Sequence, residues 1–278
     1  MSDTTTTRLV RKPYNWRVLA ILVIAILISV ILLTPYELSL QAGSLKTAHL
    51  PLPLAILLPI QWLETTLLYG VLAAIGLLVA GRIGLGLPFL ESWLAGKPEW
   101  MRVRKFVLPA ILAGALAGIA ILLLDQFVFS RPLVAELKSL GMNIPAISNL
   151  NPPAWQGFLA SFYGGITEEI LLRLFVLSLL AWLGRFVTRT SAGRPGLGAL
   201  WVANILAAIL FGLGHLPATA AAGLPMDALV ITRAIVLNGL AGLVFGWLYW
   251  TFGLEAAMLS HFSADIVLHV IPILLAGH

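Results

Sequence analysis

Three short constellations in this sequence have residue types that can do chemistry, and all three lie inside apolar runs. The first is GGITEEILLRLF, with Glu168, Glu169 and Arg173. A charged side chain at the centre of a bilayer costs roughly 2.5–3.5 kcal/mol on insertion scales, so charges kept there point to a function. Neighbours on an α-helix stand about 100° apart, so the two carboxylates are expected to point in different directions. Glu169 and Arg173 have the i,i+4 spacing, acid first, that favours an ion pair. Glu169 is then the structural acid, and Glu168 is left available. The plainer reading is a buried ion pair beside a solvated extra acid.

The second constellation is FGLGHLP, in which Phe211 and His215 share a helix face. Gly212, Gly214 and Pro217 permit close approach or local distortion of that helix. The third is LSHFSADIVLHV, where His261 and Asp265 are four apart and His269 continues the stripe. An Asp at that spacing orients a histidine, raises its basicity or joins it as a metal ligand. Alone, each stretch also reads as hydrogen-bonded packing. Together they bring an available acid, a histidine and a His–Asp pair into one bundle interior, where polar groups in lipid must face. Glu plus His is enough to activate a water, and a second His with a carboxyl or amide can hold an oxyanion. Glu168, His215 and His261 are also a zinc-type ligand set.

The elements that must position these residues follow from composition. Of 278 residues, 60% are hydrophobic and 10% are charged, against about 25% charged in a soluble domain. An all-α, polytopic integral membrane bundle is expected, with membrane lipid as a partner. The absence of cysteine removes disulfides, thiolate catalysis and Cys-ligated zinc. The net charge of +5 lies in short loops beside apolar runs, so it reads as orientation in the membrane and not as a nucleic-acid footprint. No nucleic-acid partner is expected.

Residues 1–16 read as a disordered cytoplasmic N-terminus, and 17–278 as a single transmembrane domain. The first apolar run is read as an uncleaved span because no small-residue cleavage site follows it. Spans are predicted near 17–34, 54–81, 106–125, 155–183, 198–217, 228–251 and 254–276. That makes seven, or eight if the second is split near Pro51, Pro53 and Pro59. RPLVAELKSL, in the loop at 126–154, reads as a short surface helix. Lys and Arg cluster at Arg8, Arg11, Lys12 and Arg17, then at Arg82, Lys97, Arg102, Arg104 and Lys105, then at Arg185, Arg189 and Arg194. With seven spans these fall on one side, against Lys46, Arg131 and Lys138 on the other. The positive-inside rule then puts the N-terminus in the cytoplasm and the C-terminus outside. The location implied is the cell (inner) membrane.

The three motifs in order resemble the signature of the CPBP intramembrane proteases, which include the Rce1-type CAAX prenyl endopeptidases and the bacterial Abi proteins. GLVFGWLYWTFGLEAAMLSHFSAD is similar to that family's last two helices, joined by a tight turn. The resemblance covers 155–276, the expected catalytic core. It implies an endopeptidase acting on a membrane-associated peptide or lipidated protein. Glu168 and His215 would activate the attacking water, and His261 with Asp265 would stabilise the oxyanion. Glu169, Arg173 and Phe211 would support the site. The family often has Asn where this chain has Asp265; Asn donates a hydrogen bond, whereas an ionised Asp cannot. Asp265 is then protonated, orients His261 or binds metal. The family is named both metalloprotease and glutamate-dependent protease, so a divalent metal such as zinc stays open as a cofactor. Apart from the resemblance, intramembrane acids and histidines also suit a proton-coupled transporter, and a catalytically silent scaffold or self-immunity protein would keep the same fold.

One geometric difficulty accompanies these expectations. At 1.5 Å per residue, Glu168 and His215 lie roughly 25 Å from the inner ends of their spans, and His261 about 10 Å from its own. A re-entrant turn at Thr251–Glu255, helix tilt or shifted boundaries would reconcile them.

Overall fold

The computed structural model describes residues 14–42, 45, 51–142 and 152–276. Most of the expected N-terminal tail, and Lys46, lie outside the described residues. Helix is the regular structure among the described residues, apart from one isolated bridge between Arg189 and Pro195. In chain order the helices are α1 (Trp16–Leu40), α2 (Leu54–Ile83), α3 (Pro88–Leu94), α4 (Trp100–Ser139), α5 (154–184), α6 (Leu197–Ala221), α7 (Ala228–Phe252) and α8 (Leu254–Leu275).

Six of these, α1, α2, α4, α6, α7 and α8, are long and apolar enough to cross a membrane. Their outer faces carry exposed rows at helical spacing, such as Leu63, Leu67 and Val71 on α2 and Leu108, Leu112 and Leu116 on α4. Rows of that kind match a lipid solvent and not water. The chain is an integral membrane protein. The seventh expected span, α5, is not among the six. It is helical throughout, but its winding alternates between α and π, and it carries Glu168, Glu169 and Arg173. It runs through the middle of the bundle, touching α1, α2, α6, α7 and α8.

Two expectations are corrected. The second span is not split: α2 runs unbroken through Pro59, with Pro53 at its N-cap. The third span does not stop near residue 125. A π-turn at Asp125–Phe129 leads directly into Ser130–Ser139, so the expected separate surface helix is the end of α4. Asp125 is held at that turn by two hydrogen bonds from Arg233 of α7, at 2.6 and 2.7 Å.

Three basic segments share one end of the bundle. Arg185 donates to the carbonyl of Arg82 at 3.2 Å, and one cleft is lined by Tyr14–Val18 together with Leu85, Glu91 and Arg102. Trp16, Trp93 and Trp100 are exposed around this end, as interfacial anchors are. This is the basic end of the bundle, and the opposite one is the far end.

Small residues let the helices approach closely. On α4, Gly114 meets the backbone of Ser260, and Gly118 meets Ala264 and Val267; a methyl group at either position would collide. This register resolves part of the depth problem. Gly114 is fourteen residues into α4 and Ser260 is six into α8, so α8 starts about 12 Å deeper than α4 at 1.5 Å per residue. The turn between α7 and α8 therefore lies inside the bundle. Gly253 makes it with φ 114°, a conformation that side chains rarely adopt. Helix α3 packs beneath this turn. The Leu254 amide donates to the Gly86 carbonyl, and the Phe89 and Leu90 amides both donate to Glu255 Oε1, all at 3.0 Å.

Candidate active site

The polar centre is built on α5. Glu169 and Arg173, predicted to pair, stand 2.8 Å apart with both side chains sealed from solvent, at 0% and 1% exposure. A buried guanidinium needs more than one partner. Arg173 also donates to the Gly242 carbonyl at 3.0 Å, and the rings of Phe211 and Phe245 lie 5.1 and 5.3 Å from its central carbon. Gly242 leaves that carbonyl accessible: a Cβ there would come 3.3 Å from the guanidinium.

Glu169 does more than neutralise Arg173. Its Oε1 also lies 2.7 Å from Nδ1 of His261. An ionised carboxylate only accepts, so Nδ1 carries the proton. Nε2 then faces the other way, with Glu168 Oε2 and Asp265 Oδ1 each at 3.6 Å. The His261 ring is clamped flat against Phe245, 4.6 Å between centroids, and edge-on to Phe211 at 5.4 Å. The ring's position and the proton on Nδ1 are thus both fixed by neighbours.

This corrects the expectation that Glu168 and Glu169 serve separate surfaces. Both acids converge on one imidazole, from opposite nitrogens. The cause is the winding of α5. Gly164–Glu168 and Ile170–Leu177 are π-helical, and i→i+5 turns are wider than α turns, bringing neighbouring side chains closer in direction. Such turns recur at functional sites. The Gly164–Gly165 doublet gives the room. A Cβ at Gly164 would lie 3.0 Å from His261 Nε2 and collide with the Asp265 carboxylate, and one at Gly165 would meet the Met258 carbonyl at 2.9 Å. The winding is fastened to α1 by a 2.6 Å hydrogen bond between Thr167 and Ser29.

Asp265 shares the His261 stripe as expected and faces Nε2, while the group held at Nδ1 is Glu169. His215 stands further off, where α6 breaks. Its Nδ1 lies 2.8 Å from the Phe211 carbonyl. A carbonyl only accepts, so the neutral ring keeps its Nε2 lone pair free. Its ring packs edge-on to Phe211 at 4.9 Å, and Phe211 in turn meets His261. Phe211 therefore stands between the two histidines. His215 makes no direct ion pair with Glu168 among the described residues.

The expected metal set of Glu168, His215 and His261 is not drawn together. No three His, Asp or Glu side chains among the described residues are grouped to hold a metal ion. Two of the ring nitrogens are already engaged, by Glu169 and by the Phe211 carbonyl.

Exposure separates the acids by task. Glu169 is sealed, whereas Glu168 is 23% and Asp265 13% accessible. An open carboxylate, a ring nitrogen held toward it and a second histidine with a free lone pair can polarise a water and receive its proton.

Residues 150–267 match the family described as Type II CAAX prenyl endopeptidase Rce1-like, so this segment is similar to that family, and the resemblance in the motifs is borne out. The match includes Glu168, His215, His261 and Asp265. No curated protein and no solved structure matches the chain.

Sequence reasoning missed the link from Glu169 to His261, the stacking ring of Phe245 and the space left by Gly164. Only the last had a visible signal, the paired glycines inside an apolar run.

Proposed function

We propose that this chain is an intramembrane endopeptidase that hydrolyses a peptide bond in a membrane-associated substrate. The observation that carries the reading is His261, held at Nδ1 by the sealed Glu169 and turned at Nε2 toward the half-open Glu168 and Asp265. The Rce1-like match over 150–267 supports protease chemistry at this place.

Glu168 and the free nitrogen of His215 orient a water between them, and Glu168 takes its proton as the oxygen attacks the peptide carbonyl carbon. The negative charge then grows on the carbonyl oxygen. His261, protonated at both ring nitrogens, meets it through Nε2–H while Nδ1–H stays on Glu169, which balances the cation. Asp265 joins His261 as a donor when protonated. As the C–N bond breaks, Glu168 returns its proton to the leaving amine. Arg173 and the rings of Phe211 and Phe245 keep Glu169 and His261 in register. The catalytic core spans 155–276 within a unit of 17–278, in the cell membrane, with the basic end in the cytoplasm.

The test is cleavage by the purified full chain in detergent, where sidedness is abolished. A farnesylated CAAX peptide and a membrane-anchored peptide without prenyl are offered in parallel. Cleavage of either, lost in Glu168→Gln, supports the reading. Folded protein that cleaves neither, and that moves protons or solutes in vesicles, replaces it with a transporter.

A further inference from the structure

The site is sealed toward the basic end. Beyond Arg173 in that direction, Ser178 and Tyr249 are fully buried and bonded to each other at 2.8 Å. Leu254, Ala256 and Ala257 are completely inaccessible. The turn at Gly253 is then closed by the Leu254 amide donating to the Gly86 carbonyl and by two α3 amides donating to the Glu255 carboxylate. Glu255 is the half-buried polar side chain of this floor, and its Oε1 is held there by the Phe89 and Leu90 amides.

The opposite direction differs. Tyr36 and Glu37 lie in the last turns of α1, which starts at the basic end. Tyr163 is five residues nearer than Glu168 to the far-end start of α5. His215 ends the long part of α6, and His269 lies in the last turns of α8. All are half-buried, and two side-chain contacts lie among them. The Tyr36 hydroxyl stands 3.4 Å from His269 Nδ1, and the Tyr163 hydroxyl donates to that of Tyr69 at 3.5 Å. Glu168 and Glu37 are within electrostatic reach of Tyr163, Asp265 of Tyr36, and His215 and His261 of His269. Half-open polar groups at membrane depth face water and not lipid, since lipid offers them no partners.

The geometry points to a site that opens at the far end of the bundle, through a polar vestibule walled by Tyr36, Glu37, Tyr69, Tyr163, His215 and His269. With the basic end in the cytoplasm, the vestibule opens on the extracytoplasmic side. Resting on the protease reading, this also selects a substrate class: a membrane-anchored protein whose cleaved bond lies at its extracytoplasmic membrane boundary.

The chain has no cysteine, so single cysteines in the full-length protein report alone. Tyr36→Cys and Tyr69→Cys probe the vestibule, and Ser178→Cys probes the floor. Ser191→Cys in the exposed α5–α6 loop and the exposed Met226→Cys before α7 mark the two ends. A membrane-impermeant maleimide is applied to intact cells and to inverted vesicles. The vestibule cysteines are expected to label from the side that labels Met226→Cys, while Ser178→Cys stays unlabelled from both. Labelling of either vestibule position from the Ser191→Cys side, or of both from neither side, overturns the proposal. Labelling of Ser191→Cys in intact cells overturns the extracytoplasmic assignment. Peptide cleavage is measured separately, so a vestibule found in an inactive protein distinguishes failure of the protease reading from failure of this one.

Discussion

Glu169 is the residue on which the others depend. One oxygen serves both Arg173 and His261, so its removal strands a buried guanidinium and frees an imidazole. Glu169→Gln and Arg173→Ala are each expected to lower stability by about 3–5 kcal/mol, the range for a broken buried pair. Glu168→Gln, at a partly open position, is expected to leave the thermal midpoint in detergent near that of the unaltered protein. A damaging Glu168→Gln beside a harmless Arg173→Ala would reverse the two roles. His261→Ala is expected to lower turnover about 10²–10³-fold, as for loss of one oxyanion donor. Asp265→Asn separates the roles left for that residue. If it donates to the oxyanion, the amide retains or raises peptide turnover; if it works as an anion, turnover falls.

The pairing of Glu169 with Arg173 was legible in the sequence because i,i+4 geometry is local. The bond from Glu169 to His261 was not, because it joins residues 92 apart and depends on a winding that apolar periodicity does not encode. The position of Asp265 on the ring was not legible for a related reason. Spacing placed it on the face of His261, but which ring nitrogen it meets is decided by a neighbour on another helix.

At the scale of elements, the apolar runs located the bundle helices closely, since length and lipid solvent leave few alternatives to a helix. They did not show the π-turns, because a π-turn adds a residue to a coil without changing its apolarity. Nor did they show α3, a seven-residue helix inside a charged loop. Two substitutions test what these elements do. Gly164→Ala introduces a methyl between α5 and the Asp265–His261 pair and is expected to lower turnover about 10²-fold, the order that a 1 Å misplacement costs. Folding is checked by an unchanged thermal midpoint, and unimpaired turnover would dissociate the π-turn from catalysis. Glu255→Ala removes the acceptor of two α3 amides and is expected to cost about 1.5–3 kcal/mol, as for hydrogen bonds to a charged group. Hydrogen exchange at Phe89 and Leu90 should rise. Protection unchanged at both amides would show that α3 docks without Glu255.

For the whole molecule, the distribution of Lys and Arg and the structure agree that the basic segments share one end. Accessibility labelling at Lys97→Cys and Arg189→Cys is expected from the cytoplasmic side only, and extracytoplasmic labelling at both would invert the molecule. Depth was less legible than sidedness. Counting residues from each span's end treated every end as level with the membrane surface, whereas the α7–α8 turn lies within the bundle above α3. The central claim is that the acid and the histidines of this buried centre cut peptide bonds. The measurement that meets it most directly compares membrane-protein termini, by mass spectrometry, in cells carrying the unaltered chain or Glu168→Gln at equal abundance. A defined set of new termini is expected, and it disappears with Glu168→Gln and equally with His261→Ala. An identical set of termini in all three would contradict that claim.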